Sequence, residues 1–147
     1  GHREVGLMEG PLILRKLEDS TLKRDRELAR LRELAEGLLN RRVSYDVVKD
    51  YIAKVSRTRS GLKRSIESCS SPGMGKEFVE PIQTLITFAL MVSIGDEEEV
   101  LNDIKDYLLR EGMSEEVAFI DGELTKLREL SAVASKALKS LSQEPGT

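Results

Sequence analysis

A chain of 147 residues has room for one ordinary hydrophobic core, so a single helical domain spanning 1–147 is expected. With 33% charged and only 4% aromatic residues, and a net charge of −3, the composition excludes an all-β fold and a chain-wide polybasic nucleic-acid binder. One cysteine and one histidine exclude an internal disulfide and any Cys/His metal cluster.

Residues 1–10 are expected to be a flexible end. Gly1-His2-Arg3-Glu4 has neither an initiator Met nor the apolar segment of a signal peptide, and reads as a processed terminus. Pro11 is able to open a helix, and small or apolar residues then recur at Leu14, Leu17, Thr21, Arg24, Leu28, Leu31, Ala35 and Leu38. Thr21 and Arg24 weaken the middle of that seam. A core helix capped at Asp19 or Ser20 and ending near Asn40 is therefore preferred, with 11–18 as a separate arm.

Ser44 caps a second helix whose seam is Val48, Ile52, Val55, Arg59, Leu62, Ile66 and Cys69. Ser71-Pro72-Gly73-Met74-Gly75 ends it. A third helix, about 76–94, is apolar on nearly every face and is expected to be the buried central axis. Gly95 then supplies a stop and Asp96, with Glu99 three residues on, a capping box for a fourth helix ending at Gly112. Ser114-Glu115-Glu116 opens a fifth, with Val117, Ile120, Leu124, Leu127, Ser131, Ala134, Leu138 and Leu141 as its seam. Residues 143–147 form a frayed tail. The expected fold is an all-α, single-domain bundle of about five helices. The apolar run from Phe78 to Ile94 is interrupted by Glu80, Pro81 and Gln83, so membrane insertion is disfavoured. Few amides, no Trp and an excess of Arg over Lys resemble thermophile composition, and a cytoplasmic location is expected.

Charge is unevenly placed. Arg41 to Arg64 holds eight basic and two acidic residues, whereas Asp96 to Glu123 holds eleven acidic and two basic. The first segment mixes cations with Ser56, Thr58, Ser60 and Ser65, which suits phosphate contact through Lys54, Arg57, Arg59, Lys63 and Arg64. The simpler expectation is that the basic helix pairs with acidic helices. Arg59 stands in the apolar seam and must be paired if buried; at the seam's edge its head would reach water, the commoner outcome. Thr58, Gly61, Ser65 and Ser68 form a small-residue stripe that fits an internal helix crossing, the expected reading, or a docking groove for a partner helix or phosphate strand.

Glu33/Glu36, Glu77/Glu80, Asp96/Glu99 and Asp103/Asp106 are i, i+3 carboxylate pairs of the kind that can share Mg²⁺. They are scattered, so no metal or cofactor is expected. Cys69 falls on the seam with no base nearby, and Gly73-Met74-Gly75-Lys76 lacks the full phosphate-loop spacing; neither supports catalysis. The last helix carries a second apolar row, Phe119, Leu130, Val133 and Ala137, that needs cover and suggests self-association. Together these features point to a non-enzymatic helical interaction or assembly subunit, a homo-oligomer or the partner of another helical protein, with no small-molecule substrate. The alternative is a small helical subunit that binds nucleic-acid backbone through its basic second helix.

Overall fold

Periodic apolar seams produce helices throughout. A computed structural model describes the backbone of residues 2–70 and 75–143 and the side chains of 10–69 and 75–142. Helix α1 is His2–Leu39, α2 is Tyr45–Glu67, α3 is Lys76–Phe88, α4 is Ile94–Arg110 and α5 is Ser114–Gln143. A short 3₁₀ turn, Ser68–Ser70, extends α2.

The all-α class is as expected, but the number of separate helices is not. A single π turn, Ala89–Ser93, joins α3 to α4, giving one continuous rod, Lys76–Arg110. Among the described residues the bundle therefore has four rods. Gly95 and Asp96 lie inside this rod, and their apparent stop-and-cap signal is overridden by the packing of the α4 seam, Val100, Leu101, Ile104 and Leu108. Likewise α1 runs unbroken through Pro11, Asp19 and Ser20, where the sequence predicts an arm and a cap, and its backbone is helical from His2. The tail expected from 144 onward and the helix stop expected at 71–74 lie outside the described residues.

Two tight connections share one end of the bundle. Between α1 and α2, the amides of Arg42 and Val43 both donate to the Gly37 carbonyl, and Arg41 takes the left-handed conformation at φ 60°. Between α4 and α5, Gly112 takes φ 72°, where a residue without Cβ is unstrained. Arg41 Nη2 donates to Glu111 Oε1 at 3.1 Å, tying the two connections together. At the other end Phe78 presses on α1 at Gly10, where a Cβ would lie 2.6 Å from the ring.

Rods α1 and α5 each pack on both α2 and the α3–α4 rod, which leaves those two on opposite corners. The expected seams of α2 and α5 line one continuous core with Leu17, Leu28, Leu31 and Leu38 of α1. The third helix is not the buried axis. Only one side, Ile82, Ile86, Ala89, Ser93 and Ile94, is buried, because a corner position in a four-rod bundle covers about half of a helix. Phe88, Met91 and Val92 are exposed at 37%, 74% and 42%.

The continuity of the rod has a direct test. Gly95 is helical and exposed, and an added Cβ meets nothing within 4 Å. Gly95→Ala is expected to stabilise the protein by about 0.5–1 kcal/mol in urea denaturation. A left-handed helix stop at this position gives the opposite sign.

Candidate interaction surface

Five of the buried polar residues, Arg24, Arg59, Ser93, Glu97 and Glu123, belong to one network. Arg24 of α1 and Arg59 of α2 are both buried and both reach Glu97 of α4. Arg24 Nη1 lies 2.6 Å from Glu97 Oε1, while Arg59 donates to Oε2 through Nε at 3.0 Å and also through Nη2. Arg59 Nη1 lies 3.1 Å from Glu123 Oε1 of α5, so all four rods meet here. Arg24 Nε also donates to Ser93 Oγ at 3.2 Å, and Ser93 Oγ donates to the Ala89 carbonyl inside the π turn. Burial opposes the charge on Arg59, but the Glu97 and Glu123 carboxylates outweigh it and hold the guanidinium above its ordinary value. Arg59 is thus a core ion-pair residue; it does not send its head to water.

Glu27, one turn on from Arg24, is buried as well, yet neither carboxylate oxygen has a hydrogen-bond partner among the described residues. The Cys69 thiol is buried and donates to the Ser65 carbonyl at 3.4 Å. Burial pushes it up to about 11, so it holds its proton at neutral pH and makes a poor nucleophile. The i, i+3 carboxylate pairs are all exposed, and among the described residues no group of His, Cys, Asp and Glu is placed to hold a metal ion.

The basic helix divides in two. Lys49, Arg59 and Lys63 pair inside the chain, with Glu116 at 2.9 Å, with Glu97 and Glu123, and with Glu129 at 3.8 Å. The Lys49 ammonium donates to Glu116 and holds that carboxyl below its usual range. Lys54, Arg57 and Arg64 remain exposed and have no ion pair among the described residues; Lys54 lies 5.5 Å from the Tyr51 ring centroid. Arg64 lines a groove of about 580 Å³ between α1 and α2, with Lys16, Asp19, Ser20, Ser65 and Ser68. Gly61, Ser65 and Ser68 of the small-residue stripe line this groove, and a Cβ added at Gly61 would meet only Arg64 Nη2 at 3.9 Å, so no other helix approaches closely there as an internal crossing would require.

The second apolar row of α5 is covered by the chain itself. Leu130 and Ala137 are buried, and Phe119 and Val133 are half-buried against the core, with Lys49 Nζ 5.0 Å over the Phe119 ring. The expected self-association row is therefore not a free surface.

The outer side of α3 is the surface that periodicity alone assigns to the interior. Phe78, against Gly10 of α1, and Leu85, seven residues on, are half-buried against the core at its edge, and Phe88, Met91 and Val92 continue from them as exposed residues. The most apolar window of the Lys76–Arg110 rod has a mean hydropathy of 1.5 and only 28% of it is buried; by length and composition alone this rod is apolar enough to cross a membrane. Further along the same flank, α1 and α4 enclose a groove of about 370 Å³ lined by Asp25, Glu33, Glu36, Asp96 and Arg32 over Leu28 and Val100.

These features define an all-helical bundle with an ion-paired core and an exposed apolar flank. No protein-family model, curated protein or solved structure matches the chain.

Glu97→Ala leaves two buried guanidiniums short of their shared partner and is expected to cost about 3–5 kcal/mol in chemical denaturation. Glu27→Met removes a buried carboxylate without a partner and is expected to stabilise by about 1–3 kcal/mol in the same measurement.

Proposed function

We propose that this protein is a non-enzymatic helical interaction subunit that presents the outer flank of α3 to a helical protein partner. The observation that supports this most is the exposure of Phe88, Met91 and Val92 on a single flank of an otherwise well-packed bundle. Scattered exposed apolar residues are ordinary, but a contiguous flank of large ones is the usual mark of a docking surface. The polar groups best suited to chemistry are committed elsewhere: the ion pairs of the core hold the rods together, and Cys69 holds its proton. Met91→Glu with Val92→Glu should cut the fluorescence of an apolar-surface dye such as anilinonaphthalene sulfonate severalfold while helicity and melting temperature stay near wild type, since both positions are exposed. Unchanged dye binding would overturn the reading. Light scattering on the same pair shows whether a second copy occupies the flank, in which case wild type is larger than the variant.

A second reading, binding of nucleic-acid backbone, rests on Lys54, Arg57 and Arg64, which the fold leaves exposed beside the serine-lined α1–α2 groove. Three of the cations in this basic helix are already paired internally, and no aromatic other than Tyr51 stands among the exposed ones to stack on a base. Under the first reading a gel-shift titration at low salt with short single- and double-stranded DNA gives no complex. Under the second it gives one that weakens steeply with salt and is lost in Arg57→Glu with Arg64→Glu.

A further inference from the structure

The partner's chemistry is written along the same flank. Phe78 packs on Gly10, so this side of α3 faces α1, and Leu85, seven residues on within the same regular helix, keeps to that side. Four residues beyond Val92, Asp96 lies 3.9 Å from Arg32 of α1 and forms one wall of the α1–α4 groove. The apolar flank and this groove therefore lie on one side of the molecule. In the groove four carboxylates, Asp25, Glu33, Glu36 and Asp96, stand with one guanidinium, Arg32. Its floor is apolar, from Leu28, Ala29 and Val100. Glu33 also accepts from Arg30 at 3.0 Å, an exposed pair that an incoming cation can displace at little cost.

We infer that the occupant of this flank is a cationic amphipathic helix of another chain, its apolar face on Leu85, Phe88 and Val92 and its lysines or arginines in the acidic α1–α4 groove. The inference rests on the docking reading above and adds the sign and position of the partner's charge. From Phe88 to Asp96 the rod advances about 12 Å, roughly two turns, so the partner's cations stand seven or eight residues beyond its apolar anchors. A second copy fits less well: an antiparallel pair sharing the flank would turn each acidic groove toward the Lys76–Glu80 end of the other, where one lysine stands beside Glu77 and Glu80. Opposite charge across such a contact gives specificity and a fast encounter, while the apolar anchors give the dwell time.

The test uses the full chain and three dye-labelled helical peptides of one design, four leucines on one face followed two turns later by three lysines, three glutamines or three glutamates, read by fluorescence anisotropy at physiological salt. The lysine peptide is expected to bind about tenfold or more tightly than the glutamine peptide, and the glutamate peptide more weakly than either. Glu33→Lys with Glu36→Lys should erase or reverse that order. Met91→Glu with Val92→Glu should abolish binding of both the lysine and glutamine peptides. Equal binding of the lysine and glutamine peptides, lost in Met91→Glu with Val92→Glu, would overturn the cationic partner and keep the docking reading. Lysine-peptide binding that survives the Met91 and Val92 changes would mean diffuse charge attraction and overturn the inference. No peptide binding, together with wild type that is dimeric only while Met91 and Val92 are intact, would assign the flank to a second copy. Sedimentation with phosphatidylcholine vesicles in place of peptide binding would assign it to a lipid surface. Either of those last two results overturns the cationic helix, and absence of all of them overturns the docking reading as well.

Discussion

Among the described residues Glu97 is the only carboxylate that touches both buried arginines, and its position sets the relative placement of all four rods. An isolated charge in a core of leucine and isoleucine is costly, so each rod must arrive at a depth and rotation that brings its share of the network together. Arg24 fixes α1, Arg59 fixes α2 from the opposite corner, and Glu123 brings in α5 through Arg59. Apolar seams tolerate sliding by a turn, because leucine packs on leucine at many depths. Guanidiniums bound to one carboxylate do not. The network thus contributes placement more than net stability, while the apolar core supplies the driving force.

The π turn is what lets Glu97 point inward. Through α3 and the π turn the buried positions are 82, 86, 89 and 93; along α4 they are 94, 97, 100, 101, 104 and 108. Ser93 and Ile94 are buried side by side, so the wide turn advances the inward face by one residue within a continuous helix. Ser93 closes the arrangement from inside the turn by accepting from Arg24.

Much of this is legible in the sequence. The seams of α1, α2 and α5 predict the buried residues closely, and Ser44, Gly75 and Gly112 stand where helices begin or end. The misreadings share a cause. Gly95 and Asp96 carry the local chemistry of a stop and a cap, but capping residues act only when the chain has reason to break, and the apolar seams on either side favour going on. A π turn leaves no mark in apolar periodicity except a shift of one residue. Arg24 and Arg59 look like flaws in their seams because their partners lie 73 and 38 residues away in sequence. The signal that identifies them is reciprocal: Glu97 and Glu123 also occupy seam positions, and matched charges at seam positions on different helices belong together. The α3 flank reads as interior because its residues are apolar all round, a pattern that records preference for burial but not whether the rest of the chain is large enough to provide it.

Burial of α3 and its exposure are consequences of the same five residues. Within Ala89–Ser93, Ala89 and Ser93 face the core and connect to Arg24, whereas Met91 and Val92 face outward. The wide turn that brings Glu97 under the two guanidiniums also fixes which side of α3 is left bare and how that side runs into the acidic groove beyond Asp96. The flank is consequently held by the most constrained part of the fold, the ion pairs of the core, rather than by loops. Under the proposed docking, a surface supported in this way would meet its partner already ordered, so association would give up little conformational entropy at the contact. The apolar flank, the groove and the buried network form one arrangement: charge pairing inside sets the rotation of the rod, and that rotation sets what the rod presents outside.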